Sequence, residues 1–265
     1  MIMGVNMEGT IQLNIIQFAL VYLLLIVVIF IMKRSNINQT KLLIVSSFRM
    51  TVQLVLAGLV LTYILKYPNP AFTAIYLIAM IIFSIYYVLS KHKELNKRFK
   101  LAVGLSLLCS GLFMVCFFIM VIVGIDIFNP QYTIPLAGMI VGNSMTGVTL
   151  ALKVFKETLD NQKPKVESLL NLGVEPHKIL NYVANNSLET AILPTISSMV
   201  GMGIIFLPGM MTGQILSGTL PLTSIMYQIA IMIAICASVC LAVFFSLHFG
   251  YKTLYNDKNQ ISYDW

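Results

Sequence analysis

Seven runs of mostly apolar residues recur along the chain, at 11–32, 42–65, 71–90, 101–123, 134–155, 187–207 and 222–248. Each is about 20 residues or more, which as a helix crosses the ~30 Å hydrocarbon core of a bilayer. Short polar stretches separate most of them. One longer polar stretch, 156–186, lies between the fifth and sixth runs. In lipid, every backbone polar group must be bonded within its own segment, so these runs predict helices. The pattern predicts an all-α integral membrane protein with seven transmembrane helices. No polar stretch is long enough for an independent core, so residues 1–265 are expected to form a single transmembrane domain.

Charge gives this pattern a direction. Counting Lys153, at the end of the fifth run, with the connection that follows it, fifteen of the 17 Lys and Arg residues fall in the first, third and fifth connections and the tail; Lys66 and Arg49 are the exceptions. Basic residues stay on the cytoplasmic side, so the N-terminus is expected outside and the C-terminus inside, in a cell (inner) membrane. The composition agrees: 58% hydrophobic and 10% charged, against about 25% charged in soluble domains. The net charge of +7 then points to anionic lipid headgroups and not to nucleic acid. Cys109, Cys116, Cys236 and Cys240 all lie in apolar runs without CxxC spacing, so neither a disulfide framework nor a zinc site is expected.

Polar residues inside the runs are the first candidates for function. The fifth run carries Asn143, Ser144, Thr146 and Thr149 among Gly138, Gly142 and Gly147. Such side chains must bond across helices, bond their own backbone, or face water. Two readings follow: packing glue at a small-xxx-small helix contact, or a polar strip along a transport path formed by Asn143, Ser144, Met145 and Thr146. In the second run, Arg49 shares a helix face with Ser46 and Gln53. Arg49 and Gln53 either join that path or, for Arg49, snorkel to the inner headgroups. Glu189 is a candidate partner for Arg49 near the same side of the membrane.

The polar stretch contains a short helix pattern at 167–176. Leu169, Leu170 and Leu172 give it an apolar edge, and Gly173 followed by Pro176 ends it. An apolar edge in water calls for a receiving partner; the alternative is a helix lying at the headgroups. Glu167, Gly173 and Pro176 resemble the EAA loop of ABC transporter permeases, which implies a coupling helix that docks on an ATPase subunit. The chain has no GxxxxGK[ST] phosphate loop, so that ATPase would be a separate chain. A second unusual stretch, LPGMMTGQIL at 207–216, is apolar for a connection and rich in backbone breakers. Pro208, Gly209, Met210, Met211 and Gln214 are candidates for an outer loop or gate that re-enters the membrane or acts as a lid.

GMIVGNSM at 138–145 and LPGMMTGQIL at 207–216 resemble the signature stretches of the Fet-type iron-export permeases, a family that includes plant aluminium-tolerance permease subunits. The resemblance covers nearly the whole chain. It implies an ABC transporter membrane subunit, a homodimer of this chain, and two copies of a separate ATPase that hold ATP and Mg. It suggests export of a metal ion, iron first. No cofactor is expected on this chain.

The residues themselves leave the metal site unassigned. Iron(II) favours carboxylate and imidazole ligands, yet no Asp or Glu lies deep in a run. His92, His177 and His248 fall at or beyond helix ends. Met139, Met145, Met199 and Met202 are soft candidates, although methionine also fills apolar gaps. A non-metal cargo such as a nucleotide sugar, or an importer subunit, stays open. Ser144 and His248 are similar to the dyad of an intramembrane serine protease. They would lie about 13 Å and 6 Å above Lys153 and Lys252 at 1.5 Å per residue. That is a mismatch in depth, so an enzyme is not expected.

Overall fold

The structure is a computed structural model describing residues 14–67, 69–256 and 260–261. The start of the first run (11–13), the N-terminus and most of the end of the tail lie outside the described residues. The described residues are helical apart from short connections and fall into two compact units.

The first unit holds α1 (Ile15–Arg34) and α2 (Thr40–Lys66), together with residues 213–220. The Asn14 N–H donates to the Gln17 carboxamide oxygen at 3.0 Å, which satisfies a donor at the start of α1. Asn36, at φ 53°, makes the tight turn between the two helices, a conformation asparagine tolerates. Tyr22 and Thr51 join them through a hydroxyl–hydroxyl hydrogen bond of 2.5 Å. Most other side chains here, such as Leu24, Phe30, Phe48 and Leu59, are apolar and exposed, which suits lipid.

The second unit contains α3 (Pro70–Lys91), α4 (Lys97–Phe117) with a π-helical turn at Phe118–Val123, α5 (Pro130–Asn161), α6 (Lys163–Asn171), α7 (Pro176–Gly201), the start of α8 (Gly209–Leu216) and α9 (Pro221–Tyr251). Asparagines start three of these helices. The side chains of Asn69, Asn96 and Asn129 accept from the N–H of Ala71, Phe99 and Gln131. Pro70 and Pro130 occupy the first helical position, where a missing N–H costs nothing.

α5 is the centre of this unit, packed on α3, α4, α7 and α9. Ile140, Val148, Ala151, Leu152 and Phe155 are buried against Ile231, Val239, Ala242, Val243 and Leu247 of α9. The close approach rests on Gly147: a Cβ there would sit 2.6 Å from Val239 Cγ1. The glycine pair marked for close packing behaves differently. A Cβ on Gly138 would meet only the tip of Met80, at 3.1 Å, and one on Gly142 would meet nothing within 4 Å.

Six helices among the described residues are long and apolar enough to cross a membrane: α1, α2, α3, α4 with its π-helical turn, α5 and α9. The protein is therefore an all-α integral membrane protein of multi-pass type. α7 is the difference from the seven expected runs. It starts at Pro176, not at 187, and ends at Gly201, not at 207. Its first half carries His177, Lys178, Asn181, Asn185, Asn186 and Glu189, which lowers its average hydropathy. It runs antiparallel to α9 nonetheless. His177 at its start meets Tyr251, with the Tyr251 hydroxyl 3.2 Å from Nε2. Met202, just past its end, meets Gln228. Those two α9 positions are 23 residues apart, about 35 Å along a helix.

The expected fifth run also ends early. α5 continues as one helix to Asn161, about 48 Å for its 32 residues. The polar stretch 156–186 is thus mostly helix, and only 162–175, containing α6, links α5 to α7. The expected outer connection after α7 is partly ordered as well. Gly203, at φ +76°, turns the chain back, and Gly209, Met210, Met211 and Gln214 lie in α8 with Pro208 just before it.

Candidate substrate strip and coupling helix

The polar residues of α5 divide between two faces. Ser144 is buried. Its hydroxyl bonds the Ile140 carbonyl at 3.0 Å and the Ser238 hydroxyl of α9 at 2.8 Å. It is a polar link between two packed helices. Ser238 lies ten residues, about 15 Å along α9, from His248, whose Nδ1 approaches the Tyr251 hydroxyl at 3.4 Å instead. No Ser144–His248 dyad forms. Asn143 and Thr146 occupy the exposed face, with half-buried Gly142, Met145 and Thr149 beside them. The Asn143 amide donates to the Met139 carbonyl at 2.7 Å and the Thr146 hydroxyl to the Gly142 carbonyl at 3.1 Å. Each still presents polar atoms outward, an arrangement lipid tails do not solvate.

At its polar end α5 borders a cavity of about 400 Å³ lined by Lys91, His92, Glu94, Thr149, Lys156 and Asp160 among others. Lys156 pairs with Glu94 across it. The His92 Nε2 is buried with no hydrogen-bond partner. Burial pulls the His92 pKa below its ordinary 6.5; the Thr149 backbone opposes this, and Lys156 and Lys91 add to it. The folded chain therefore holds the neutral imidazole to lower pH than an unfolded chain, which protonates it near 6.5. The stability this contributes is present above pH 6.5 and is lost as the pH falls below it. We predict that His92→Gln removes part of the fall in Tm between pH 7.5 and pH 5. An unchanged fall would show that His92 does not carry it.

α6 follows α5 after Gln162 alone. Pro164 sits in its first turn. Its exit is a Schellman motif: the Gly173 N–H donates to the Leu170 carbonyl at 2.9 Å and the Val174 N–H to the Leu169 carbonyl at 3.0 Å. Gly173 adopts φ +83°, a left-handed conformation that favours glycine. Pro176 then starts α7. The three leucines are not equivalent. Leu169 and Leu170 are half-buried against the chain's own core, with Val166 fully buried beneath them. Leu172 alone stands out, 80% exposed, on the same short helix exit as exposed Glu167 and Gly173. The apolar edge is thus narrower than the spacing suggested.

Arg49 and Gln53 lie on the surface of α2 in the first unit, whereas Glu189 is exposed on α7 in the second. Of the outer residues, Met211 is buried and Gln214 half-buried. Ser238 was missed by sequence reasoning; three serines inside an otherwise apolar run, Ser224, Ser238 and Ser246, were the available signal.

A multi-spanning helical bundle with a polar strip on its central helix is the architecture of a membrane permease. The chain belongs to the uncharacterised protein family UPF0014, which it matches over residues 15–255, and it is a permease-type membrane protein rather than an enzyme. This membership bears out the resemblance carried by residues 138–145 and 207–216. The "Probable iron export permease protein FetB" of Escherichia coli (strain K12) is 26% identical over 245 residues, 92% of this chain and 93% of that protein. The "Protein ALUMINUM SENSITIVE 3" of Arabidopsis thaliana is 31% identical over 214 residues, covering 81% and 77%. The "UPF0014 membrane protein slr1647" of Synechocystis sp. (strain ATCC 27184 / PCC 6803 / Kazusa) is 31% identical over 202 residues, covering 75% and 77%. No solved structure matches the chain.

Proposed function

We propose that this chain is the membrane-spanning subunit of an ABC transporter and that its cargo is a metal ion moved outward, iron first. Two copies form a homodimer and dock separate ATPase subunits, which hold ATP and Mg. The observation that carries this reading is the continuity of α5 into α6. One helix bears Asn143 and Thr146 on its exposed face and leads, after Gln162 alone, into α6, whose C-terminal end carries the protruding Leu172. The whole chain then acts as one transmembrane domain with seven crossings. α7 is the seventh, supported by its antiparallel run of about 35 Å along α9. The basic connections face the cytoplasm, with the N-terminus outside and the C-terminus inside. Met145 flanks the path on the same helix, and 208–214 forms the outer gate.

Iron enters through the name of the Escherichia coli relative. A non-metal cargo such as a nucleotide sugar is favoured by one observation. Among the described residues, no group of three or more His, Cys, Asp and Glu could hold a metal ion. ATPase activity of the reconstituted complex, measured against Fe(II), other metals and nucleotide sugars, separates the two cargo classes. Stimulation by none of them would remove the exporter reading.

We predict that cysteines at 143 and 146, in a chain with its four native cysteines replaced, react with a small polar thiol reagent. Cargo should slow that reaction. Inert cysteines in a folded protein would make this face a packing surface.

A further inference from the structure

Six of the 16 methionines lie between Met199 and Met232. Four of them, Met199, Met202, Met211 and Met232, line one cavity of about 450 Å³. The end of α7, the turn after it, the start of α8 and the first turns of α9 enclose it, all within the second unit. It sits at the end of the bundle opposite the basic connections. Met211 and Met232 are each 8% exposed, so their thioethers belong to the interior.

Gln228 is the one polar side chain in the wall. It is also 8% exposed. Its Nε2 donates to the Met202 sulfur at 3.9 Å, a weak contact, and its Oε1 is buried without a partner. A buried carbonyl without a donor carries a desolvation cost. Methionines that merely fill space need neither a cavity nor an orphan acceptor beside them. The side chains of this wall offer thioether and carbonyl lone pairs with a single N–H group to donate.

Lone pairs in excess of donors suit a cation. The wall has no carboxylate or imidazole, so a divalent ion would keep its full charge in an apolar setting, which is costly. A monovalent ion carries half that charge. Thioether sulfur is a soft ligand that selects Cu(I) over the harder divalent ions. Ag(I) shares that softness and charge and, unlike Cu(I), is not oxidised by air.

We propose that this cavity binds a soft monovalent cation, Cu(I) or Ag(I), through the sulfurs of Met202, Met211 and Met232, with Gln228 Oε1 as the oxygen ligand. The site concerns this chain alone and stands whether or not the chain works with an ATPase.

The test is Ag(I) titration of the purified full chain in chloride-free detergent buffer, read by calorimetry and by metal retained after gel filtration. The expected result is saturable binding of one Ag(I) per chain, which a tenfold excess of redox-inactive Zn(II) does not displace. Met202→Leu and Met211→Leu, near-isosteric changes, should each weaken binding by about tenfold or more. Met226→Leu, at an exposed position outside the cavity, should change nothing. A second readout needs no variant: Ag(I) should slow peroxide conversion of Met202 and Met211 to sulfoxide, relative to Met226, by mass spectrometry. Absence of saturable binding, displacement by Zn(II), full binding by the Met202→Leu/Met211→Leu double variant, or equal oxidation with and without Ag(I) would each overturn the assignment.

Discussion

Leu172→Glu releases the ATPase subunit from a chain that is otherwise correctly inserted: this is the expected result if α6 is the docking element. The side chain is 80% exposed, so the change removes nothing from the chain's own core. Burying a leucine against a partner contributes about 1.5–3 kcal/mol, which corresponds to roughly a tenfold to hundredfold loss of association. A carboxylate in the receiving groove adds a desolvation penalty. Gly173 offers an independent route to the same phenotype. Leucine there would hold φ near +83° at a cost of about 1–2 kcal/mol, and the two Schellman bonds would be strained. Asparagine tolerates that conformation, and a Cβ at 173 meets nothing within 4 Å. Gly173→Asn should therefore keep docking while Gly173→Leu loses it. Co-purification with the ATPase and transport in vesicles measure both. Full assembly and transport by Leu172→Glu and Gly173→Leu would sink the docking assignment.

The second large effect is on folding. A Cβ on Gly250, in the last turn of α9, would lie 2.3 Å from Phe99 Cε1, 2.5 Å from Cζ and 2.8 Å from Cδ1. Phe99 is fully buried and its ring lies against Phe155, at a centroid distance of 6.2 Å. The ring cannot yield without displacing a second buried aromatic. Overpacking of this kind costs about 1–3 kcal/mol. Gly250→Ala should lower the Tm of the purified chain by roughly 3–10 °C. Gly104→Ala is the matched control, because its Cβ would meet Ile85 at an ordinary 3.5 Å. Equal melting of the two variants would contradict the packing described around Phe99.

Continuous apolar runs made six helices legible from sequence, because lipid demands the same side chains around the whole circumference. α7 was half hidden by the opposite logic. Ile179, Leu180, Val183, Ala184, Ser187 and Ala191 are buried at helical spacing, while Asn185, Asn186 and Glu189 occupy the exposed side. A window average cancels the two faces, so only its apolar second half stood out. Packing partners were also illegible. Gly142 and Gly147 look alike in sequence, yet Gly147 touches α9 and Gly142 faces open space. Ser144 found Ser238, 94 residues away, a pairing that no local pattern encodes. The α6 exit was legible because a glycine at a helix stop depends on local backbone geometry.

The one proline inside α5, Pro135, lacks the N–H that would bond one turn back, so the helix is softest near its start. Beyond it the helix runs without another proline to Asn161. That makes α5 a lever whose fulcrum lies at the end remote from α6. Thr146 stands about 16 Å from Pro135 and Asn161 about 39 Å, so a swing of about 5 Å at the far end carries Thr146 through about 2 Å. If α5 turns as a rigid body about Pro135, movement imposed at α6 would reach the polar strip as tilt, scaled down by less than threefold.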